Sequence, residues 1–203
     1  MVKLETLTLS IAGIDELSGY EGRGVSHIVS LIDPEEPTPA AIPRLGGRSH
    51  LMLRLHDVID AHADLRAPER SDVERLLDHA DTLRRDHPDH LLVHCHMGRS
   101  RSTAAAAVML YHLQAGAPDA IFQHIAAVRD PIWPNSRILA LADEMLGTGG
   151  ALVQACRPIY RAVADRHPDW IAPFAHSSRM RDLHGAAADD AGRPDVAIKD
   201  KAD

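Results

Sequence analysis

The run Leu91-Leu92-Val93-His94-Cys95-His96-Met97-Gly98-Arg99-Ser100-Arg101-Ser102-Thr103 constrains this chain more than any other stretch. An apolar segment leads into it and an alanine-rich segment leads out, the pattern of a strand, a tight loop and a helix. Cys95 and Arg101 stand at the two ends of the loop, with five residues between them. Backbone N–H groups that converge at a helix N-terminus make a cradle for an anion. Such a cradle fits a phosphate dianion, and a thiol at its floor is placed to attack one.

The rest of the chain is consistent with one α/β layer around that loop. Leu4 to Ile11 alternates apolar and polar residues as a strand does, and Ile14 to Tyr20 reads as a short helix or turn. Ser26 to Ile32 is a buried strand stopped by Asp33-Pro34, and His50 to Leu55 is another. Glu35 to Gly47 and Asp57 to Pro68 read as loops. Ser71 to Arg85 reads as an amphipathic helix, with Ser71 as N-cap and Glu74 completing a capping box. Helices are then expected over Thr103–Gln114, Pro118–Val128, Ser136–Leu146 and Ala151–Arg166. Strands interleaved with helices, followed by a helical block, predict a short central, mostly parallel sheet flanked by helices. The Cys95 loop then falls at the carboxyl end of a central strand, where such sheets place their ligands. Residues 1–170 are read as the catalytic domain. Residues 171–203, rich in Ala, Asp, His, Arg and Gly toward their end, are read as a flexible tail.

Composition removes several classes. The net charge of −7 argues against nucleic acid as a partner. No apolar run approaches the roughly 20 residues of a membrane span, so no stable membrane insertion is expected. The N-terminus lacks a signal-peptide pattern, and two cysteines make no disulfide framework, so a cytoplasmic setting is expected. The 14 histidines are scattered without metal-ligand spacing, and adjacent residues such as His94, Cys95 and His96 point apart. The histidine count alone therefore does not indicate a metal. Aromatic residues are only 3%, so Leu, Ile, Val and Ala must build the core.

The loop chemistry follows from residue types. A free thiol titrates near about 8.5, and a helix N-terminus with a neighbouring arginine pulls it down. Arg101 offers a planar fork for two phosphate oxygens. Gly98 can take positive φ and tighten the turn. Ser102 can donate to the sulfur as it leaves, and His94 can orient the loop. His96, Met97, Gly98, Arg99, Ser100 and Arg101 would line the substrate. The alternative for Arg99 is a surface arginine, and for Cys95 a small residue ending a buried strand.

The string from His94 to Ser102 resembles the signature of the cysteine-dependent protein tyrosine phosphatase superfamily. It most resembles the dual-specificity-like branch. Ser30 to Pro34, the Asp57 region, Val73 to Leu83 and Pro134 to Ile138 also resemble a group of small bacterial phosphatase-like proteins. The likeness spans about residues 1–150. It implies a phosphomonoester hydrolase in which Cys95 forms a cysteinyl-phosphate held by Arg101 and the loop amides. A carboxylic acid then protonates the leaving oxygen and later activates water, and the resemblance implies that no metal or other cofactor is required. The superfamily places that acid on a loop some dozens of residues before the cysteine. Here Asp57, Asp60 and Asp64 stand 38, 35 and 31 residues before Cys95. Asp57, which follows the strand directly, is favoured. Asn135 matches a position that helps place the hydrolytic water, with an N-cap for the next helix as its other reading.

Cys156 is expected to be a buried structural thiol, and Trp133 and Trp170 packing residues. Three rivals remain: a module that binds phosphate without hydrolysis, a lipid (phosphoinositide) phosphatase, and a sulfurtransferase of the rhodanese kind. The phosphorylated substrate, whether protein or small molecule, and the oligomeric state stay open.

Overall fold

The computed structural model describes residues 7–61, 63–114, 116–172 and 178–184. Among the described residues four strands form one parallel sheet: β1 (Thr8–Ala12), β2 (His27–Ile32), β3 (Ser49–Arg54) and β4 (His90–His94), in the order β1-β4-β2-β3. β2 and β4 are buried at every position. Strands covered on both faces read as continuous apolar runs, which is why these two are so plain in the sequence. Leu4 to Thr6, the expected start of β1, lie outside the described residues.

Side chains alternate across the sheet and meet two different layers. On one face Val29, Leu31, Leu91 and Val93 join a core built with the helices. On the other, Ile28 and Leu92 pack with Leu17, Val25, Ile42 and Leu45. That second layer is made by two short 3-10 turns, Ile14–Tyr20 and Ile42–Arg44, and their connections.

The helices are α1 (Arg70–Asp86), α2 (Arg101–His112), α3 (Pro118–Val128), α4 (Ser136–Leu146), α5 (Ala151–Arg166), α6 (Pro168–Ile171) and α7 (Arg181–His184). α2 is the central one, buried from Arg101 to Leu110. Its run Ala104 to Ala107 carries only methyl groups, so the sheet and the neighbouring helices approach closely without large aromatic fillers. The start of α1 differs from the expectation. Its N-cap is Glu69, not Ser71, and Asp72 takes the role assigned to Glu74. The Asp72 carboxylate accepts from the Glu69 N–H at 2.9 Å and from Arg66 Nη2 at 2.8 Å, which anchors the first turn earlier.

Register brings the functional ends together. Ala12 and Ser30 both sit opposite His94. The residues that follow β1, β2 and β4 therefore share the carboxyl rim of the sheet. Near the other end of the chain, Ser178–Met180 forms a 3-10 turn that continues into α7, and both Arg179 and Asp182 are buried. These residues belong to the stretch read from composition as a tail. Residues 173–177 and 185–203 of that stretch lie outside the described residues.

Candidate active site

Cys95 leaves β4 at the rim, only 2% exposed, and its N–H donates to the Ala12 carbonyl at 3.3 Å. The loop then lies on the Ala12-Gly13 corner of β1. The Ile14 N–H donates to His96 O at 2.9 Å, and a Cβ on Gly13 would come within 2.8 Å of that same oxygen. Gly98 has φ +69°, and a Cβ there would fall 2.5 Å from the Ala12 carbonyl carbon. Only glycine meets both the dihedral and the contact. The loop closes where α2 begins, and Ser102 Oγ lies 3.2 Å from Cys95 Sγ with both atoms buried.

Arg101 is 3% exposed and forks beneath the loop. Its Nη1 donates to Asp33 Oδ1 at 2.6 Å and to the Leu55 carbonyl at 2.6 Å. Its Nε is buried and has no hydrogen-bond partner among the described residues. A buried donor without a partner is uncommon and unfavourable, and an anion oxygen would satisfy it.

Asp57 follows β3 and reaches the loop from the side. Its Oδ1 accepts from Ser100 Oγ at 2.7 Å, Asn135 Nδ2 at 2.8 Å and Arg179 Nη1 at 2.9 Å. Burial acts to raise its pKa. The charges of Arg179 and Arg101, with the Asn135 and Ser100 hydrogen bonds, outweigh burial and hold the carboxyl below its ordinary value. The loop carrying Asp57 is pinned by Arg66, whose Nη1 donates to Arg54 O at 2.6 Å and whose carbonyl accepts from His56 N at 2.8 Å.

Asn135 combines two tasks. Its Oδ1 caps α4 by accepting from Ile138 N at 3.1 Å, while its Nδ2 donates to Asp57. His94 is fully buried, with Nε2 2.6 Å from Ser30 Oγ. Burial pushes its pKa down to about 4, so it is neutral near pH 7. His96 lies at the rim, with Nδ1 3.7 Å from Asp33 Oδ2. Met97 is exposed. The Arg99 guanidinium donates to Pro131 O at 2.7 Å and lies over the Trp170 ring at 5.7 Å.

Of the alternative acids, Asp60 pairs with Arg181 and Asp64 is exposed. Cys156 is a buried free thiol in α5, and burial pushes its pKa up. Trp133 packs on Tyr160 and Trp170, and its ring N–H also donates to Asp182 at 2.8 Å.

Sequence reasoning missed four residues here. Ser30 was visible as a hydroxyl inside a buried strand, and Gly13 as a glycine directly after one. Asp33 was read as a strand stop and as part of the Ser30–Pro34 resemblance, with no role in the site. Arg179 carried no local signal at all. A groove of about 390 Å³ lies beside α7, lined by Asp60, Arg137, Tyr160, Arg181 and Asp182 among others. None of the residues from Cys95 to Ser102 lines it.

No protein-family model matches the chain, and no curated protein matches its sequence. Solved structures do match its fold. Human DUSP28 superposes with a TM-score of 0.53 at 18% identity, over 70% of this chain and 94% of that one. The Cydia pomonella PTP-2 phosphatase gives 0.51 at 21% identity, over 68% and 84%. The human tyrosine phosphatase-like serine/threonine/tyrosine-interacting protein gives 0.50 at 16% identity, over 72% and 94%. The four-stranded parallel sheet with its helical layer is thus the fold of dual-specificity and tyrosine phosphatases and of a phosphatase-like protein.

Proposed function

We propose that this chain is a phosphomonoester hydrolase of the dual-specificity type that works through a cysteinyl-phosphate on Cys95. The observation that carries the proposal is the buried Nε of Arg101, without a partner among the described residues, at the end of a loop that begins with the Cys95 thiol, itself 3.2 Å from the Ser102 hydroxyl. In the first step the Cys95 thiolate forms an S–P bond as the P–O bond to the leaving group breaks. Asp57, in its carboxylic acid form, gives its proton to the departing oxygen. Arg101 and the loop amides bind the three transferring oxygens. In the second step Asp57, now a carboxylate, takes a proton from water as that water attacks phosphorus. The S–P bond breaks, and Ser102 Oγ donates to the emerging thiolate. Asn135 keeps Asp57 in place through both steps.

The fold likeness to human DUSP28 and the PTP-2 phosphatase supports this reading, as does the resemblance of the loop. The small bacterial group fits best, on Ser30 to Pro34 and Pro134 to Ile138. A phosphorylated protein or small molecule is the substrate, and the reducing cytoplasm is the setting. Among the described residues no helix is long and apolar enough to cross a membrane.

The test is hydrolysis of a chromogenic aryl phosphate at mildly acidic pH. Turnover that vanadate blocks and Cys95→Ser abolishes is expected. No turnover across a panel of phosphopeptides and aryl phosphates would overturn the proposal. One observation favours a second reading, a phosphate-binding module without turnover: Arg179 holds Asp57 as a carboxylate, and a carboxylate has no proton to give. Tight phosphate binding by the wild-type chain without hydrolysis is its signature.

A further inference from the structure

The turn Ser178–Met180 and α7 lie against the site, not apart from it. Arg179 is 8% exposed and spans several groups. Its Nη1 donates to Asp57 Oδ1 at 2.9 Å and to Ser100 Oγ at 3.1 Å, and its Nη2 donates to the Trp133 carbonyl at 3.0 Å. Its Nε donates to Asp182 Oδ2 at 3.0 Å. Asp182 in turn accepts from the Trp133 ring N–H and from Ser136 Oγ, on either side of Asn135. One guanidinium from the far end of the chain therefore ties the acid loop, the Cys95 loop and the segment before α4 together.

We propose that Arg179 is a positioning residue of the catalytic site: it holds the Asp57 carboxylate against Ser100 and thereby sets the pH range over which Asp57 can act as an acid. This rests on the hydrolase reading above. The charged groups facing Asp57 are Arg179 from the C-terminal turn and Arg101 from the start of α2, with Asp182 behind Arg179. Asn135 and Ser100 add neutral donors. Two cations and two donors all favour the ionised form, and Arg179 is the charge that acts on it most. The acid step needs the protonated form. With Arg179 in place, that form is lost at a lower pH, and turnover of substrates with poor leaving groups falls off earlier as pH rises. Asp182 fixes the guanidinium from the side away from Asp57, so the turn acts as one unit.

The experiment uses the full chain and two readouts. The first is carbon-detected NMR titration of the Asp57 carboxyl in Cys95→Ser, with the signal assigned through Asp57→Asn. Arg179→Gln is expected to move the midpoint upward by about one unit or more. Arg179→Lys, which keeps the charge but not the fork, is expected to move it less. The second readout is the pH profile of aryl phosphate hydrolysis in the chain that retains Cys95. Its basic limb is expected to move upward with the same ranking. If Arg179→Gln fails to fold, as judged by its amide spectrum, Arg179→Lys serves in its place and is expected to raise the midpoint. An Asp57 midpoint unmoved in every folded variant overturns the inference, even if the enzyme turns over. A shifted midpoint in a chain that never hydrolyses phosphate overturns the hydrolase reading, and the pH role of Arg179 with it, leaving only the contact.

Discussion

Arg101 and Asp33 meet through one guanidinium nitrogen, Nη1 to Oδ1 at 2.6 Å, while Nε of the same arginine stays buried without a partner among the described residues. Nη1 is held, and in the proposed reaction Nε is the donor that a phosphoryl oxygen would meet. Asp33 is 62 residues before Cys95, yet it braces the residue that would bind the phosphoryl oxygens. Asp33→Ala is expected to weaken vanadate or phosphate binding by roughly tenfold, about 1.4 kcal/mol, because Arg101 loses its preset direction. Isothermal titration of Asp33→Ala against wild type checks this, and an unchanged affinity would show that Leu55 O alone suffices.

Ser102 touches only the sulfur side of the reaction. In the proposed reaction its hydroxyl, 3.2 Å from Sγ, supports the thiolate as a leaving group. Ser102→Ala is expected to slow breakdown of the phosphoenzyme by about 10- to 100-fold, in the range of one lost catalytic donor. A pre-steady-state burst of aryl alcohol, small or absent in wild type, should then appear. Equal slowing of both steps would argue against the assignment.

Gly98 is the position at which a single methyl group does the most local damage. Alanine there adds a left-handed strain of roughly 1–3 kcal/mol and drives Cβ into the Ala12 backbone. Since that backbone belongs to β1, the loop is the part that yields. Gly98→Ala is expected to lose most vanadate affinity while thermal unfolding falls by only a few degrees. Wild-type binding in this variant would show that the loop tolerates a different path.

Two buried histidines make the fold sensitive to acid. His94 and His79 are both pushed down to about 4 by burial, His79 also by the nearby His27. Their folded values lie below the unfolded one, so the unfolded chain takes up protons first. Their contribution is complete above about pH 6.5 and is lost as pH falls toward 4, on the order of 3 kcal/mol for each. Urea unfolding at pH 7.5 and pH 5 should show that loss. His79→Gln, far from the thiol, should flatten the dependence by about half; identical slopes in the two proteins would refute it.

Much of the fold was legible because its signals are local. The buried strands His27–Ile32 and His90–His94 show as apolar runs, α3 begins at Pro118, α4 lies between Asn135 and Gly147, and α5 begins after Gly150. The start of α1 was misread because two capping patterns overlap within a few residues. Arg66 arrives from a loop to favour Asp72, and sequence order does not show that contact.

The same division separates the parts of the site. His94, Cys95, Gly98, Arg101 and Ser102 lie within one short stretch, so their roles follow from residue type and order along one strand, loop and helix. Asp57 was favoured from its place after a strand, and the structure brings it to Ser100. Asp33 and Gly13 also follow strands, but nothing local ties them or Ser30 to the loop, and Arg179 carries no local signal at all. They meet the loop only because parallel pairing aligns the ends of β1, β2 and β4, and because the C-terminal turn folds back over Asn135. Sequence alone determined the chemistry of the cradle, since thiol, guanidinium and hydroxyl lie within eight residues. Tertiary structure decided which distant carboxylates and cations surround that cradle, because charge acts through space and long-range packing sets the distances.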